Sequence, residues 1–260
     1  LHITHALEED EVAGGGVFVT YPIVEKERAV AHVKTHIRNE GQYLRKAQLR
    51  TRMIDKNGKV VACQQDSFRL LAGEALHIEQ DLKIDNPFLW HPYTPDLYQL
   101  ESTVIENDKV TDHCAEAVGI RTIAYTRDGG FFINGEPLYL RGANRHQAFA
   151  YIGDAASNSM QERDVIDLKR GGCNAVRAAH YPQDPAFLAA CDKYGLLVVE
   201  CIPGWQYFNK DSVFISRLYE VGKKMIRRDR NHPSVILWET ALNESRYPAE
   251  VAREDRKSVV

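Results

Sequence analysis

The stretch that decides the fold is NAVRAAHYPQDPAFLAACDKYGLLVV, residues 174–199. It begins with an apolar run, continues through a segment with helical composition and ends in a second apolar run. Asp184 and Pro185 are residue types that begin helices, and Gly195 is the type that ends them. Two short apolar strands joined by a helix indicate parallel neighbours, because parallel strands need a long crossover. The stretch therefore predicts a strand–helix–strand unit.

The same alternation extends from this unit in both directions. The further elements are predicted strands at 137–143, 196–205 and 234–239 and predicted helices at 159–172 and 211–231. Ser159 and Glu162 have the spacing of a capping box at the start of the first helix. Near-continuous apolar strands that alternate with helices predict a parallel sheet covered by helices. No GxGxxG or GxxxxGK[ST] follows a strand, so the usual signature of a nucleotide-binding fold is absent.

Polar side chains follow these strands at their carboxyl ends, where (β/α)8 barrels assemble their active sites. They are Arg141, Asn144 and His146 after the first strand, Arg177 and His180 after the second, Glu200 after the third, and Asn243 and Glu244 after the fourth. Eight strands close such a barrel, so four strands predict its N-terminal half.

The first part of the chain has a different pattern. Short alternating segments, such as VFVTYPI at 17–23 and AVAHVKTHIRN at 29–39, are separated by turn-forming residues. This pattern predicts an antiparallel sandwich of immunoglobulin-like size. The expected fold is thus multi-domain, β plus α/β. We place an immunoglobulin-like β-sandwich at 1–122 and a partial TIM-barrel catalytic domain, strands 1–4, at 123–260. A turn at Asn134-Gly135 marks a hairpin near the junction.

Composition narrows the class of protein. The formal net charge of −3 argues against a nucleic-acid surface, which needs a clustered basic footprint. The basic run RRDR at 227–230 is interpreted as the solvated end of a helix. The five cysteines show no CxxC, so we expect small buried thiols rather than a disulfide framework or a zinc site. No apolar run approaches the ~18 residues of a membrane span. The N-terminal segment has no signal-peptide pattern, and localisation stays open between cytoplasm and periplasm.

Three passages of the chain resemble glycoside hydrolase family 2, which contains β-galactosidases, β-glucuronidases and β-mannosidases. FFINGEPLYLRGANRHQ at 131–147 is similar to the start of that family's barrel. Residues 174–199 fit its first signature: Asn-x-apolar-Arg, two small residues, His-Tyr-Pro and then Asp-x-x-Gly. DRNHPSVILWETALNE at 229–244 resembles the second signature, which ends in Asn-Glu. The sandwich half is similar to the family's immunoglobulin-like domain, so the resemblance covers nearly the whole chain.

The resemblance implies roles for named residues. Glu244 is the expected acid/base of a retaining β-glycosidase, in which two carboxyl groups share the work. Asn243 is expected to bond the sugar 2-hydroxyl, Arg177 to hold the nucleophile ionised, and His180 to contact sugar hydroxyls. Trp205 is the expected aromatic floor of the pocket, with Trp238 as the other candidate.

Each of these residues also has a structural alternative. Arg177 pairs, in this alternative, with a barrel carboxylate such as Glu200 or Glu239. His180 is then a histidine that only maintains the fold. Glu239 stands where the family prefers a small residue, and we interpret it as a supporting or structural group. The family nucleophile is expected beyond residue 260, and the 260-residue chain alone is expected to be inactive.

The sequence therefore predicts a glycoside hydrolase of β-galactosidase type that releases terminal β-linked sugars by double displacement. The alternative is a non-catalytic carbohydrate-binding or structural module. A metal hydrolase built on His146, His180 and Glu200 is the weakest interpretation, because no HxH or HExxH spacing occurs. We expect no cofactor and no metal, since the family's magnesium motif is absent after the third strand. The expected partner is a β-linked glycoside or oligosaccharide, without nucleic acid or membrane. Exposed strand edges favour self-association, as in a homo-oligomer.

Overall fold

A computed structural model describes residues 1–9, 13–204 and 208–240. The chain divides into two compact units. One contains Leu1–Trp90 and Asp96–Arg121, and the other contains His91–Pro95 and Thr122–Val260. None of the three helices described combines the length and apolar character that crossing a bilayer requires.

The first unit is the expected immunoglobulin-like β-sandwich, made of two four-stranded antiparallel sheets. Its strands are β1 (His2–Ile3), β2 (Val17–Val24), β3 (Arg28–Arg38), β4 (Arg45–Ile54), β5 (Val60–Leu70), β6 (Ala75–Asp85), β7 (Tyr98–Glu106) and β8 (Lys109–Val118). In one sheet β3 pairs with β1, β2 and β6, and the other sheet has the order β5-β4-β7-β8. Strand alternation points one face of each sheet inward, where Val33, Leu82 and Leu100 are buried in one cluster.

Strand β8 was not predicted from the sequence. Its sequence, KVTDHCAEAV, places a buried hydrophobic side chain only at Val118. A strand at a sheet edge with small or polar residues on both faces gives little periodic signal. Its place is set instead by antiparallel pairing with β7, from Tyr98 opposite Val118 to Glu106 opposite Lys109.

The second unit begins with a small antiparallel sheet. Its strands are β9 (Ile123–Thr126), β10 (Gly130–Ile133) and β11 (Glu136–Pro137). Asn134 and Gly135 join β10 to β11 with φ angles of 52° and 80°. Two successive positive φ angles are the requirement of a two-residue hairpin turn, so the predicted hairpin is confirmed.

The parallel sheet of the second unit is the first half of a (β/α)8 barrel. Its strands, in spatial order, are β12 (Gly142–Arg145), β13 (Ala175–Ala178), β14 (Leu197–Cys201) and β15 (Val235–Glu239). The intervening helices are α1 (Asn158–Arg170), α2 (Pro185–Tyr194) and α3 (Ser212–Asp229). The first strand lies later than predicted, at 142–145 rather than 137–143. All neighbouring strands are parallel.

Alternate residues of the parallel strands face the helices and form a compact core. Val176 and Val198 contribute from the sheet, and Val165, Phe187 and Leu188 contribute from α1 and α2; all five are at most 2% exposed. At roughly 25 cal/mol per Å² of apolar area, such burial is the main stabilising contribution to this layer.

Helices α1 and α2 differ in how their N-termini are capped. Asp184 caps α2 by accepting a hydrogen bond from the Ala186 amide at 2.8 Å, and Gly195 ends α2 with φ 73°, as predicted. The predicted capping box of α1 is wrong. Its N-cap is Ser157, without a side-chain cap, and Glu162 instead accepts hydrogen bonds from Lys193 and Tyr194 of α2.

The segment His91–Pro95 packs within the second unit although the first unit precedes and follows it. Lys169 of α1 donates hydrogen bonds to the carbonyl oxygens of Pro92, at 3.0 Å, and Gly195, at 2.9 Å. A Cβ on Gly195 would lie 2.3 Å from the Pro92 oxygen. Only glycine therefore fits at this helix end.

Two expectations about charge and thiols need correction. The basic run at 227–230 does end a helix, but it is not solvated, because Arg227 is 3% exposed and Arg228 pairs with the buried Asp229. The cysteines are all free, yet only Cys191 and Cys201 are buried, and Cys63 is exposed.

Candidate active site

An arginine and a glutamate meet at the carboxyl edge of the parallel sheet. Arg177 lies on β13, and Glu239 is the last residue of β15. The Arg177 Nε donates to Glu239 Oε2 and its Nη2 donates to Oε1, both at 2.6 Å. Such a two-point contact fixes the plane of the guanidinium as well as its position. The alternative partner named from sequence, Glu200, is therefore excluded as the carboxylate that binds these two nitrogens.

Strand register explains why Glu239 rather than Glu200 is the partner. Arg177 lies beside Val199, and Cys201 lies beside Glu239, so these four residues share one face of the sheet. Glu200 is one residue out of phase and projects to the other face, toward the helices. Trp238 lies beside Glu200 and packs against the core between the sheet and the helices. It is therefore not on the inner face of the sheet, which is the face that carries Arg177 and Glu239.

Cys201 and Asn144, both within the described residues, also form hydrogen bonds with this pair. The Cys201 thiol donates a hydrogen bond to Glu239 Oε2 at 2.9 Å, and Arg177 Nη1 donates to Asn144 Oδ1 at 3.5 Å. Burial opposes ionisation of Glu239, but hydrogen bonds from Arg177 and Cys201 and the nearby positive charge outweigh it, and the pKa of the carboxyl is below its ordinary value. Glu239 is therefore a carboxylate at neutral pH.

His180 lies close to this edge, after β13. It is 6% exposed and follows a cis peptide bond from Ala179. Its ring is nearly perpendicular to that of His146, with centroids 6.0 Å apart. The Tyr181 hydroxyl accepts a hydrogen bond from the Gln147 amide at 3.1 Å, which joins the loops after β12 and β13. The structure thus brings Asn144, His146, Arg177 and His180 to one edge.

Two residues expected at this edge lie elsewhere. Arg141 precedes β12, so it is at the amino end of that strand. Glu200 is 0% exposed on the helix side, where its Oε1 accepts a hydrogen bond from the Gln183 amide at 2.9 Å. Neither side chain belongs with the pair at the carboxyl edge. Across residues 1–9, 13–204 and 208–240 no three His, Cys, Asp or Glu side chains are grouped as a metal site.

Arg145 is a buried anchor that the sequence interpretation missed. Its guanidinium donates to Asp164 Oδ2 at 2.8 and 3.0 Å, to Gln161 Oε1 at 2.6 Å and to Gln183, and it stacks on Phe187 at 4.0 Å. The signal was present, because strand alternation places Arg145 on the face opposite Asn144. A charged side chain on the helix-facing side needs partners there.

A concave pocket of about 320 Å³ lies on the inner face of the sheet. Its lining residues are Leu140, Gly142, Ala143, Asn144, Ala175, Val176, Arg177 and Val199. Most of these are small or apolar, and the polar groups are Asn144 and Arg177. An apolar wall with few fixed polar groups suits a ring that presents both C–H and hydroxyl groups. The predicted site residues Trp205, Asn243 and Glu244 lie outside the described residues, so their roles stay predictions.

Comparisons with known families cover both units. A family model described as the TIM barrel domain of glycosyl hydrolases family 2 matches residues 125–259, and one described as glycosyl hydrolases family 2 matches 15–121. A β-galactosidase of Thermoanaerobacter pseudethanolicus is 40% identical over 227 residues, which are 86% of this chain and 30% of the relative. A β-glucuronidase of Rattus norvegicus is 34% identical over 202 residues, which are 75% of this chain and 29% of the relative.

Solved structures agree with this assignment. A glycosyl hydrolase family 2 member from Bacteroides cellulosilyticus superposes with a TM-score of 0.87 at 33% identity, over 99% of this chain and 34% of its own. A β-glucuronidase of Bacteroides uniformis gives a TM-score of 0.85 at 31% identity, over 91% of this chain and 28% of its own. The chain spans about 30% of the length of the curated relatives it matches. It belongs to glycosyl hydrolase family 2.

Proposed function

We propose that this protein is a retaining β-glycosidase of β-galactosidase type, which releases terminal β-linked sugars by double displacement. The observation that carries the proposal is the ion pair between Arg177 and Glu239 at the carboxyl edge of the half-barrel. Glu239 is five residues before Glu244 in the sequence. Family membership supports it, since the named relatives include β-galactosidases and β-glucuronidases.

The proposed chemistry needs two carboxyl groups. Glu244 is the acid/base: it donates a proton to the leaving oxygen, and later takes a proton from the water that attacks the glycosyl-enzyme. A second carboxylate forms and then loses the bond to the anomeric carbon. We assign no bond-forming role to Glu239, because both of its oxygens accept hydrogen bonds from Arg177 and one also accepts from Cys201.

The remaining residues of the proposed site bind and orient. Arg177 is the fixed cation, His180 contacts sugar hydroxyls, Asn243 bonds the 2-hydroxyl, and Trp205 packs on the C–H face of the sugar. The inner-face pocket supports the first of these roles, since it includes Arg177 and Asn144. We assign this chemistry to a barrel domain over 123–260, and we assign 1–122 to a sandwich domain that acts as a scaffold.

The test uses the full-length gene product and a panel of nitrophenyl β-glycosides. We expect turnover of at least one β-galactoside-type substrate with retention of anomeric configuration, measured by proton NMR. Glu244→Gln should lower kcat/KM by about 10²–10⁴-fold. Added azide should restore turnover of a dinitrophenyl glycoside. This leaving group departs without the acid, and azide then displaces the enzyme carboxylate from the anomeric carbon without a general base, which gives the glycosyl azide.

Glu101→Gln is the matched control. Glu101 also pairs with an arginine, Arg52 at 2.5 Å, but within the sandwich. This variant should retain wild-type turnover. A wild-type protein that binds sugars without turnover would favour a non-catalytic module, and inversion of configuration would contradict the proposed mechanism.

A further inference from the structure

The Arg177–Glu239 pair is more than half buried. The side chains are 23% and 18% exposed, and two hydrogen bonds of 2.6 Å join them. Removing two charges from water costs free energy that offsets much of the gain from their attraction, and an apolar pair of similar volume is often as stable. Stability of the fold therefore gives little reason to place an ion pair here.

The location of the pair gives a better reason. Glu239 is the last residue of β15 and Arg177 lies near the end of β13, so both side chains are at the sheet edge where barrel enzymes bind substrate. Cys201 adds a hydrogen bond to Glu239 from the strand between them. Three adjacent strands thus hold one guanidinium in one orientation.

We propose that Glu239 is a positioning residue, which fixes the Arg177 guanidinium and offsets its charge at the carboxyl edge of the parallel sheet. This inference rests on the proposed glycosidase function.

The charges around Glu239 determine what its loss would do. Arg177 faces it from β13, His180 from the loop after β13, and Cys201 from β14. Glu200 of β14 is on the opposite face, and Asn144 of β12 has no charge. Converting Glu239 to a neutral side chain would remove one negative charge from beside Arg177. A nearby cation favours ionised carboxyl groups, so the pKa values of the reacting carboxyls would fall.

The experiment compares Glu239→Gln and Glu239→Asp with the wild-type full-length gene product. The readout is kcat/KM against pH with an aryl β-glycoside. Glu239→Gln should move both limbs of the profile to lower pH by about one unit, which is the effect expected of one partly buried charge. At the optimum, kcat should fall by about tenfold or more because the guanidinium is less well held.

Glu239→Asp keeps the charge but shortens the reach. It should leave the two limbs near their wild-type positions while kcat still falls. This combination separates charge from geometry, and a residue that only supports folding would not produce it. Circular dichroism and thermal melting of each variant show whether it is folded. Glu101→Gln should reproduce the wild-type profile.

The outcomes separate this inference from the proposed function. Turnover by the wild type with unmoved limbs in a folded Glu239→Gln would overturn the positioning role alone. A wild type without turnover would overturn the proposed function, and this inference with it, because a positioning role needs a reaction. If Glu239→Gln fails to fold, Glu239→Asp decides: limbs shifted to lower pH despite the retained charge would overturn the inference, and unshifted limbs with reduced kcat would support it.

Discussion

The backbone amide of Gln183 donates a hydrogen bond to the carboxyl of Glu200 at 2.9 Å, and both residues are 0% exposed. Within the described part of the chain the second oxygen of Glu200 has no hydrogen-bond partner. Burial raises the pKa of Glu200 to about 8, and the charge of Asp229 adds to the effect, while the Gln183 hydrogen bond, Arg228 and His232 oppose it. Burial also raises the pKa of Asp229. Glu200 is thus protonated in the folded protein at neutral pH.

The raised pKa of Glu200 predicts stability that decreases as pH rises. The folded state holds the proton up to about pH 8, whereas the unfolded chain releases it near 4.5. Stability from this group is full below pH 4.5 and is lost progressively up to about pH 8, at no more than about 1.4 kcal/mol per pH unit. Melting midpoints of Glu200→Gln across pH 5–9 should depend less on pH than those of the wild type.

Glu162→Gln provides the control for this series. Glu162 is an exposed carboxylate, and hydrogen bonds from Lys193 and Tyr194 lower its pKa. It has therefore already lost its proton throughout the range of pH 5 to 9. The variant should follow the pH dependence of the wild type between pH 5 and 9. If the melting midpoints of Glu200→Gln and the wild type changed equally with pH, Glu200 would not be a neutral carboxyl in the folded protein.

Gly195→Ala should be more destabilising than an ordinary left-handed glycine substitution. Its Cβ would lie 2.3 Å from the Pro92 oxygen, in addition to the strain of a positive φ. Gly172 has φ 85° and nothing within 4 Å of an added Cβ, so Gly172→Ala carries the strain alone. We expect the free energy of unfolding to fall by about 1 kcal/mol for Gly172→Ala and by at least about twice that for Gly195→Ala. Urea denaturation of the two variants compares them, and equal costs would show that the Pro92 contact is relieved easily.

Arg145→Met should cost about 3 kcal/mol of stability, because it leaves Gln161, Asp164 and Gln183 without the donor that they share. Arg163→Met is the matched control on helix α1. Arg163 is exposed and its ion pair with Asp167 spans 3.6 Å, so the change should stay within about 0.5 kcal/mol. Denaturant unfolding measures both variants. A loss for Arg145→Met no larger than that of the control would contradict the anchoring role.

Thiol labelling should distinguish exposed from buried cysteines by their reaction rates. Cys63 is exposed and should react first, while Cys191 and Cys201 are buried and should react only after unfolding. Burial, with nearby Glu116 and Asp112, raises the pKa of Cys114 to about 11, so this partly exposed thiol should react slowly. Stopped reactions with an aromatic disulfide reagent follow the rates. Cys63→Ser should remove the fast phase, and its survival would contradict the assignment.

Local signals predicted much of the architecture. Asp184, Pro185 and Gly195 defined a helix because each acts on its own backbone, and Asn134-Gly135 defined a hairpin for the same reason. The predicted capping box at Ser159 and Glu162 does not form, because the Glu162 side chain bonds to another helix instead of to its own helix terminus. Glu162 reaches Lys193 and Tyr194 on the neighbouring helix, and sequence spacing within one helix does not report such a contact.

The choice between Glu200 and Glu239 as partner of Arg177 depended on a bulge. Val198 lies beside Val235 but Val199 lies beside Leu237, so Ile236 is an extra residue. Without it, Glu239 would be on the helix-facing side, because a shift of one residue exchanges the two faces of a strand. The Tyr125 hydroxyl donates to the Ile236 carbonyl at 3.0 Å, which satisfies the group at the bulge. No local pattern in the sequence SVILWE predicts this bulge.

The segment His91–Pro95 also bears on how this protein can be divided or recombined. Its Pro92 carbonyl accepts a hydrogen bond from Lys169 and lies against Gly195, so five residues encoded amid the first unit complete the second. A graft of the half-barrel onto another scaffold, cut at the junction near residue 122, would omit them. A gene-shuffling design that respects the folded units needs three crossover points rather than one, after residues 90, 95 and 121.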